Sequence, residues 1–118
     1  MDPVLDYIEL AVDDLERAKT FYADALGWSF NDYGPGYAGI RNPRSEGDEL
    51  GGLSAEAVAT RGEGVLALLR TDDADAALAR VLAAGATIHT QPYEFPGGRR
   101  FLFRDPFGNV LGIYETAE

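Results

Sequence analysis

Apolar and polar residues alternate at the start of the chain. Ile8, Leu10 and Val12 interleave with Tyr7, Glu9 and Ala11. A period of two predicts a strand over Leu5 to Val12 with one apolar face. Asp13-Asp14 follow, and Asp14 suits a helix N-cap because its carboxylate can accept a free backbone N–H. Leu15, Ala18, Phe21 or Tyr22, Ala25 and Leu26 then recur at helical spacing. Gly27 suits the C′ position, where a left-handed turn closes a helix. Trp28-Ser29-Phe30 resumes an extended segment, and Tyr37 to Arg41 and Leu50 to Ala55 are further strands. Pro35-Gly36 and the stretch Asn42 to Asp48 supply the turns.

The same order recurs. Val65 to Thr71 is an apolar run of strand length, Asp72-Asp73 mark a helix start, and Ala74 to Ala84 is rich in helix-favouring Ala and Leu. Gly85 closes that helix. Thr87-Ile88-His89 resumes as strand, and Arg99 to Arg104 and Val110 to Tyr114 are strands joined by the turn Asp105-Pro106-Phe107-Gly108-Asn109. Gln91 to Arg100, with two prolines, a glycine pair, two aromatics and two arginines, is expected to be a loop able to close as a lid. Asp14-Leu15-Glu16-Arg17-Ala18 has its partner in Asp73-Ala74-Asp75-Ala76-Ala77, and Gly27 has its partner in Gly85. The chain is thus expected to be an approximate repeat of a strand–helix–three-strand unit. Module one spans about residues 4–57 and module two about 64–116, together one domain over 1–118. Neither module has core enough to stand alone.

Composition narrows the function. With 20 acidic against 10 basic residues the net charge is −10, which repels phosphate backbones and anionic lipid, so no nucleic acid and no membrane is expected as a partner. No run approaches the ~20 apolar residues of a bilayer span. Met1-Asp2-Pro3 lacks the basic and apolar regions of a signal peptide, so a cytoplasmic location is expected. The absence of cysteine rules out disulfides, thiolate metal sites and cysteine nucleophiles.

Three words carry a family resemblance. They are Tyr7 to Ala18 running into Phe21-Tyr22 and Leu26-Gly27-Trp28, then Asp73 to Ala77 through Ala84-Gly85, then Phe103-Arg104-Asp105-Pro106-Phe107-Gly108-Asn109. In this order and at these separations they resemble the glyoxalase/bleomycin resistance protein/dioxygenase superfamily, the vicinal oxygen chelate proteins. The resemblance implies an α+β fold of two βαβββ modules forming a curved, cup-shaped mixed sheet with helices on its outer face. It also implies one of several activities. Some members are metal-dependent isomerases, epimerases, dioxygenases or thiol transferases, and others bind drugs such as bleomycin without metal.

The resemblance places the family's metal ligands at four positions of this chain. They fall on Tyr7, seven residues before Asp14; on Gly39 or Ile40; on Leu66 or Val65; and on Gly112, seven residues after Asp105. None is a His or carboxylate, so neither a metal nor any other cofactor is expected. Strand alternation supplies the lining instead. With Ile8, Leu10 and Val12 toward the helices, Leu5, Tyr7, Glu9 and Ala11 face the cup. So do Leu66, Leu68 and Arg70, and Val110, Gly112 and Tyr114, with Gly112 expected to leave open space. Candidate ligand-binding residues are Tyr7, Glu9, Tyr37, Leu66, Leu68, Arg70, Phe95, Gly112 and Tyr114. Glu9 is the candidate general base, set against the alternative of a structural ion pair with Arg70. The expected function is metal-free binding of a small aromatic or amphipathic molecule. The alternatives are a metal-independent lyase or isomerase using Glu9, and, last, a metal-dependent lyase or dioxygenase. The family likeness implies a homodimer.

Overall fold

Each half of the chain forms a strand, a helix and three further strands, as the repeat implies. The computed structural model describes residues 5–56 and 65–116, so the expected module limits at 4, 57 and 64 lie outside the described residues. Module one contains β1 (Ile8–Ala11), α1 (Leu15–Leu26), β2 (Phe30–Asp32), β3 (Tyr37–Arg41) and β4 (Glu49–Ser54). Module two contains β5 (Ala67–Thr71), α2 (Ala74–Ala83), β6 (Thr87–Phe95), β7 (Gly98–Arg104) and β8 (Val110–Thr116). Each module makes one four-stranded mixed sheet, in the orders β1-β4-β3-β2 and β5-β8-β7-β6. The first strand of each runs parallel to the last, and the remaining pairs are antiparallel.

The helix ends follow the local chemistry. The Asp14 carboxylate accepts from the Arg17 N–H, and the Asp73 carboxylate accepts from the Ala76 N–H. Gly27 closes α1 at φ 73°, which a residue without Cβ adopts freely. β1 starts later than the alternation suggests, and Leu5 lies ahead of it, fully exposed rather than lining a site.

One face of each sheet packs on the helices. Leu10, Ala38, Ile40 and Leu53 from the first sheet and Phe101, Phe103, Leu111 and Ile113 from the second join Phe21, Tyr22 and Val81 in one core. The expected direction of Leu10 and Val12 is therefore observed. The segment Gln91 to Arg100 is not a loop. It forms the distal half of the β6–β7 hairpin, with Phe95 opposite Gly98 across a Pro96-Gly97 turn. Pro92 falls where the β6–β7 register shifts, between Thr90 and Tyr93, and a bulge tolerates the missing N–H. The Pro and Gly content that suggested a lid instead makes an irregular strand and a tight turn.

The modules are joined through the Asp105 turn. Asp105 is buried, and one carboxylate oxygen accepts from the backbone N–H of Phe107 at 2.9 Å and of Asn109 at 2.8 Å. The other accepts the Tyr22 hydroxyl at 2.6 Å and the Asn109 side-chain amide at 2.8 Å. That amide also donates to the Ala11 carbonyl at 2.7 Å, reaching β1. Tyr22 in turn stacks on Trp28, with ring centroids 4.8 Å apart. Burial, reinforced by the Asp105 carboxylate, holds the Tyr22 phenol far above its ordinary range.

Replacing Asp105 by Ala strands the Tyr22 hydroxyl and two backbone donors in the core. The expected loss is about 3–5 kcal/mol in urea denaturation. The raised Tyr22 pKa adds a pH dependence. Its contribution to stability is complete below the unfolded value of about 10 and is lost as pH rises beyond it. Between about pH 10 and 12 the wild type is expected to lose stability more steeply than Tyr22→Phe, measured by thermal melts across that range.

Candidate functional site

The side of each sheet turned away from the helices carries the candidate chemistry. On the first sheet Glu9, Gly52, Gly39 and Asn31 stand in one row across β1, β4, β3 and β2. The two glycines in the middle leave a bare floor. The Tyr37 hydroxyl lies over Gly52 and the Glu49 carboxylate lies over Gly39, each in space a Cβ would fill. Two linked hydrogen-bond chains result. Tyr7 donates to Tyr37 at 2.6 Å, and Tyr37 donates to Glu9 at 3.1 Å. Tyr33 donates to Glu49 at 2.5 Å, and Asn31 donates to the same oxygen at 2.9 Å.

These contacts shift the acids in the directions their chemistry demands. Partial burial first, then the bonds with Tyr7 and Glu9, raises the Tyr37 phenol above its ordinary range. The hydrogen bonds from Tyr33 and Asn31 lower the Glu49 carboxyl, with a smaller contribution from Tyr7. The bond to Glu49 raises the Tyr33 phenol. The site is a hydroxyl-rich surface with two carboxylates as final acceptors.

The second sheet presents different chemistry. Leu68, Gly112, Leu102 and Thr90 form one row, and Arg70, Tyr114, Arg100 and Tyr93 form the next. The Arg100 guanidinium lies 4.8 Å from the Phe95 ring centroid and 5.3 Å from that of Tyr93, and its Nε donates to the Tyr93 hydroxyl. Phe95 meets Tyr114 edge to face at 6.3 Å. Gly112 does not leave open space. A Cβ there would come 2.5 Å from a Leu68 methyl and 2.9 Å from a Leu102 methyl, so the leucines have closed over the bare strand.

Two hollows adjoin this face. A broad depression of about 1020 Å³ is lined by Leu68, Arg70 and Tyr114 together with Pro43, Arg44 and Leu50 from module one. A smaller apolar crevice of about 280 Å³ runs between Ile8, Leu10 and Ile40 of module one and Ala67, Leu68 and Leu111 of module two. Ile8, Leu50 and Leu68 at its margin are exposed.

The structure thus divides the sequence-derived candidates into two groups. Tyr7, Glu9 and Tyr37 are joined in one network, and Leu68, Arg70, Phe95, Gly112 and Tyr114 share the second face. Leu66 precedes β5 and is half-buried. Glu9 and Arg70 do not pair. The ion pairs of the described residues are Lys19–Glu16, Lys19–Asp32 and Arg99–Asp75. Sequence reasoning missed Asn31, Tyr33 and Glu49, which reach the first face from short or irregular strands. It also missed Arg100 and Leu102. Reading β6–β7 as a continuous hairpin would have placed Arg100 beside Tyr93.

The sequence profile of the Glyoxalase/Bleomycin resistance protein/Dioxygenase superfamily matches residues 4–113. The chain belongs to that superfamily. It is 25% identical over 117 residues to the putative glyoxylase CFP32 of Mycobacterium bovis, covering 94% of this chain and 45% of the relative. It is 27% identical over 115 residues to the anthracycline biosynthesis protein DauV of Streptomyces sp. strain C5, covering 95% and 41%. The chain therefore spans less than half the length of these curated relatives. Among solved structures it is similar to TnmS3, an antibiotic binding protein from Streptomyces sp. CB03234, at 28% identity and a TM-score of 0.69, covering 98% of this chain and 97% of that one.

The residues at the family's metal-ligand positions do not fit a metal. The Tyr7 hydroxyl is engaged with Tyr37, the Glu49 carboxylate over Gly39 is taken up by Tyr33 and Asn31, Leu66 offers no donor atom, and leucine methyls fill the room beside Gly112. Among the described residues no three His, Asp or Glu side chains converge. No chemical step is therefore assigned to a metal.

The glycine floor yields a spectroscopic expectation. Gly52→Ala pushes the Tyr37 hydroxyl off Glu9, which releases part of what raises its pKa. Ultraviolet pH titration of the variant is expected to show one tyrosine ionising at lower pH than in the wild type, still above the ordinary range because burial remains.

Proposed function

We propose that this protein binds a small, flat organic molecule on the face formed by Leu68, Leu102, Gly112, Tyr114 and Phe95, without metal. The observation that carries this reading is the closure of Leu68 and Leu102 over Gly112. Where a coordinating side chain would project, the strand offers an aliphatic floor edged by aromatic rings. Apolar contact with a ring and a few directed polar groups are what a small-molecule site requires. The similarity to an antibiotic binding protein and to an anthracycline biosynthesis protein supports the same class of ligand.

A second reading rests on Glu9. One of its oxygens accepts from Tyr37 while the other has no partner among the described residues, and the side chain is exposed. A carboxylate so held can take a proton from a bound substrate, which would make the protein a metal-independent lyase or isomerase. We also propose a homodimer, supported by the exposed apolar side chains of Ile8 and Leu50 at the margin of the crevice between modules.

Titration calorimetry of metal-stripped protein with fused-ring aromatic compounds tests the binding reading. Binding in the micromolar range is expected, weakened about tenfold or more by Leu68→Asp. Failure of every flat compound to bind removes it. Glu9→Gln separates the two readings. It leaves binding largely intact, whereas an enzyme using Glu9 as base loses about a hundredfold in turnover. Light scattering is expected to give twice the mass of one chain.

A further inference from the structure

Although the chain carries 20 acidic residues and a net charge of −10, Arg99 alone among the described arginines forms an ion pair. Two of the unpaired arginines share the helix-free face of the second sheet. Arg70 on β5 and Arg100 on β7 flank Tyr114 on β8 in a single row. Two interstrand spacings set them about 10 Å apart at the backbone. Neither makes an ion pair among the described residues.

Arg100 is set apart by the two rings that hold it. Arg99 points to the opposite face and is paired with Asp75 of α2 at 2.9 Å. Arg100 points to the helix-free face and is half-buried. There its guanidinium is held against Phe95 and Tyr93 by its π-face, and its Nε is used by the Tyr93 hydroxyl. That packing fixes the fork and leaves the two terminal amino groups without a hydrogen-bond partner among the described residues. A guanidinium pre-oriented by stacked rings, partly removed from water and lacking a counter-charge, is a ready recognition group for an anionic oxygen.

We infer that the ligand of this face is an aromatic acid, a flat ring system bearing a carboxylate or phenolate. The ring lies over Tyr114 and the Leu68–Leu102 floor, and its anionic oxygens accept from Arg100, with Arg70 opposite. This rests on the binding reading above and narrows it to a charge class. The acidic remainder of the protein disfavours anions at long range, so selectivity comes from direct contact with these two side chains.

The test uses a pair of probes of equal shape, 2-naphthoate and its uncharged amide 2-naphthamide, measured by titration calorimetry at pH 7.5. Wild type is expected to bind the naphthoate at least about tenfold more tightly than the amide. Arg100→Met is expected to abolish that preference while leaving amide affinity within about twofold, so the amide itself reports that the face is intact. Arg70→Met alters an exposed side chain and is expected to reduce the preference in part. Arg100→Lys keeps the charge without the fork and is expected to retain only a fraction of it. Equal affinity of wild type for both probes overturns the inference and leaves the binding reading standing. So does a preference that survives the double Arg70→Met, Arg100→Met variant. If neither probe nor any other flat compound binds, both fall together.

Discussion

The structure depends on a buried carboxylate. Asp105 gathers two backbone N–H groups of its own turn, the Tyr22 hydroxyl from α1 and the Asn109 amide, and that amide continues to the backbone of β1. A carboxylate inside a core is costly unless its lone pairs are used, and here four donors use them. Because the donors come from both modules, satisfying one charge fixes how the repeats meet. The apolar core then packs around that joint, with Tyr22 wedged between Phe21 and Trp28.

Once the modules are placed, their helix-free faces diverge in chemistry. The first has bare glycine strands on which tyrosine hydroxyls and carboxylates lie flat, a polar surface with ordered hydrogen bonds. The second has leucines over its glycine and an arginine embedded in aromatic rings. Two copies of one unit have thus become an acceptor-rich surface and an apolar, cationic one. The repeat is preserved in the backbone and lost in the side chains of the helix-free faces.

Much of the architecture could be read from local signals. Asp14 and Asp73 before apolar-periodic stretches, and Gly27 after one, marked helix ends that the structure confirms atom by atom. Alternation along β1, β5 and β8 placed Glu9, Leu68, Gly112 and Tyr114 on the correct side, because one buried face per sheet leaves no freedom of register. What escaped was set by packing between strands. Pro92, Pro96 and Gly97 carry loop propensity, yet the hairpin absorbs them in a bulge and a two-residue turn. Gly112 suggested a void, but two leucines from neighbouring strands occupy it, and no one-dimensional pattern encodes which neighbours lean inward. Glu49 and Tyr33 reach the polar network from β4 and the end of β2, where short strands give little periodicity to read.

The leucine closure over Gly112 also bears on how such a protein could change its trade. A carboxylate introduced at position 112 would meet Leu68 and Leu102 before it could point outward, and both would have to yield together. Admitting a side chain there is therefore a concerted event that displaces both leucines. The closed leucine pair in this sense locks the strand against any projecting side chain at that position.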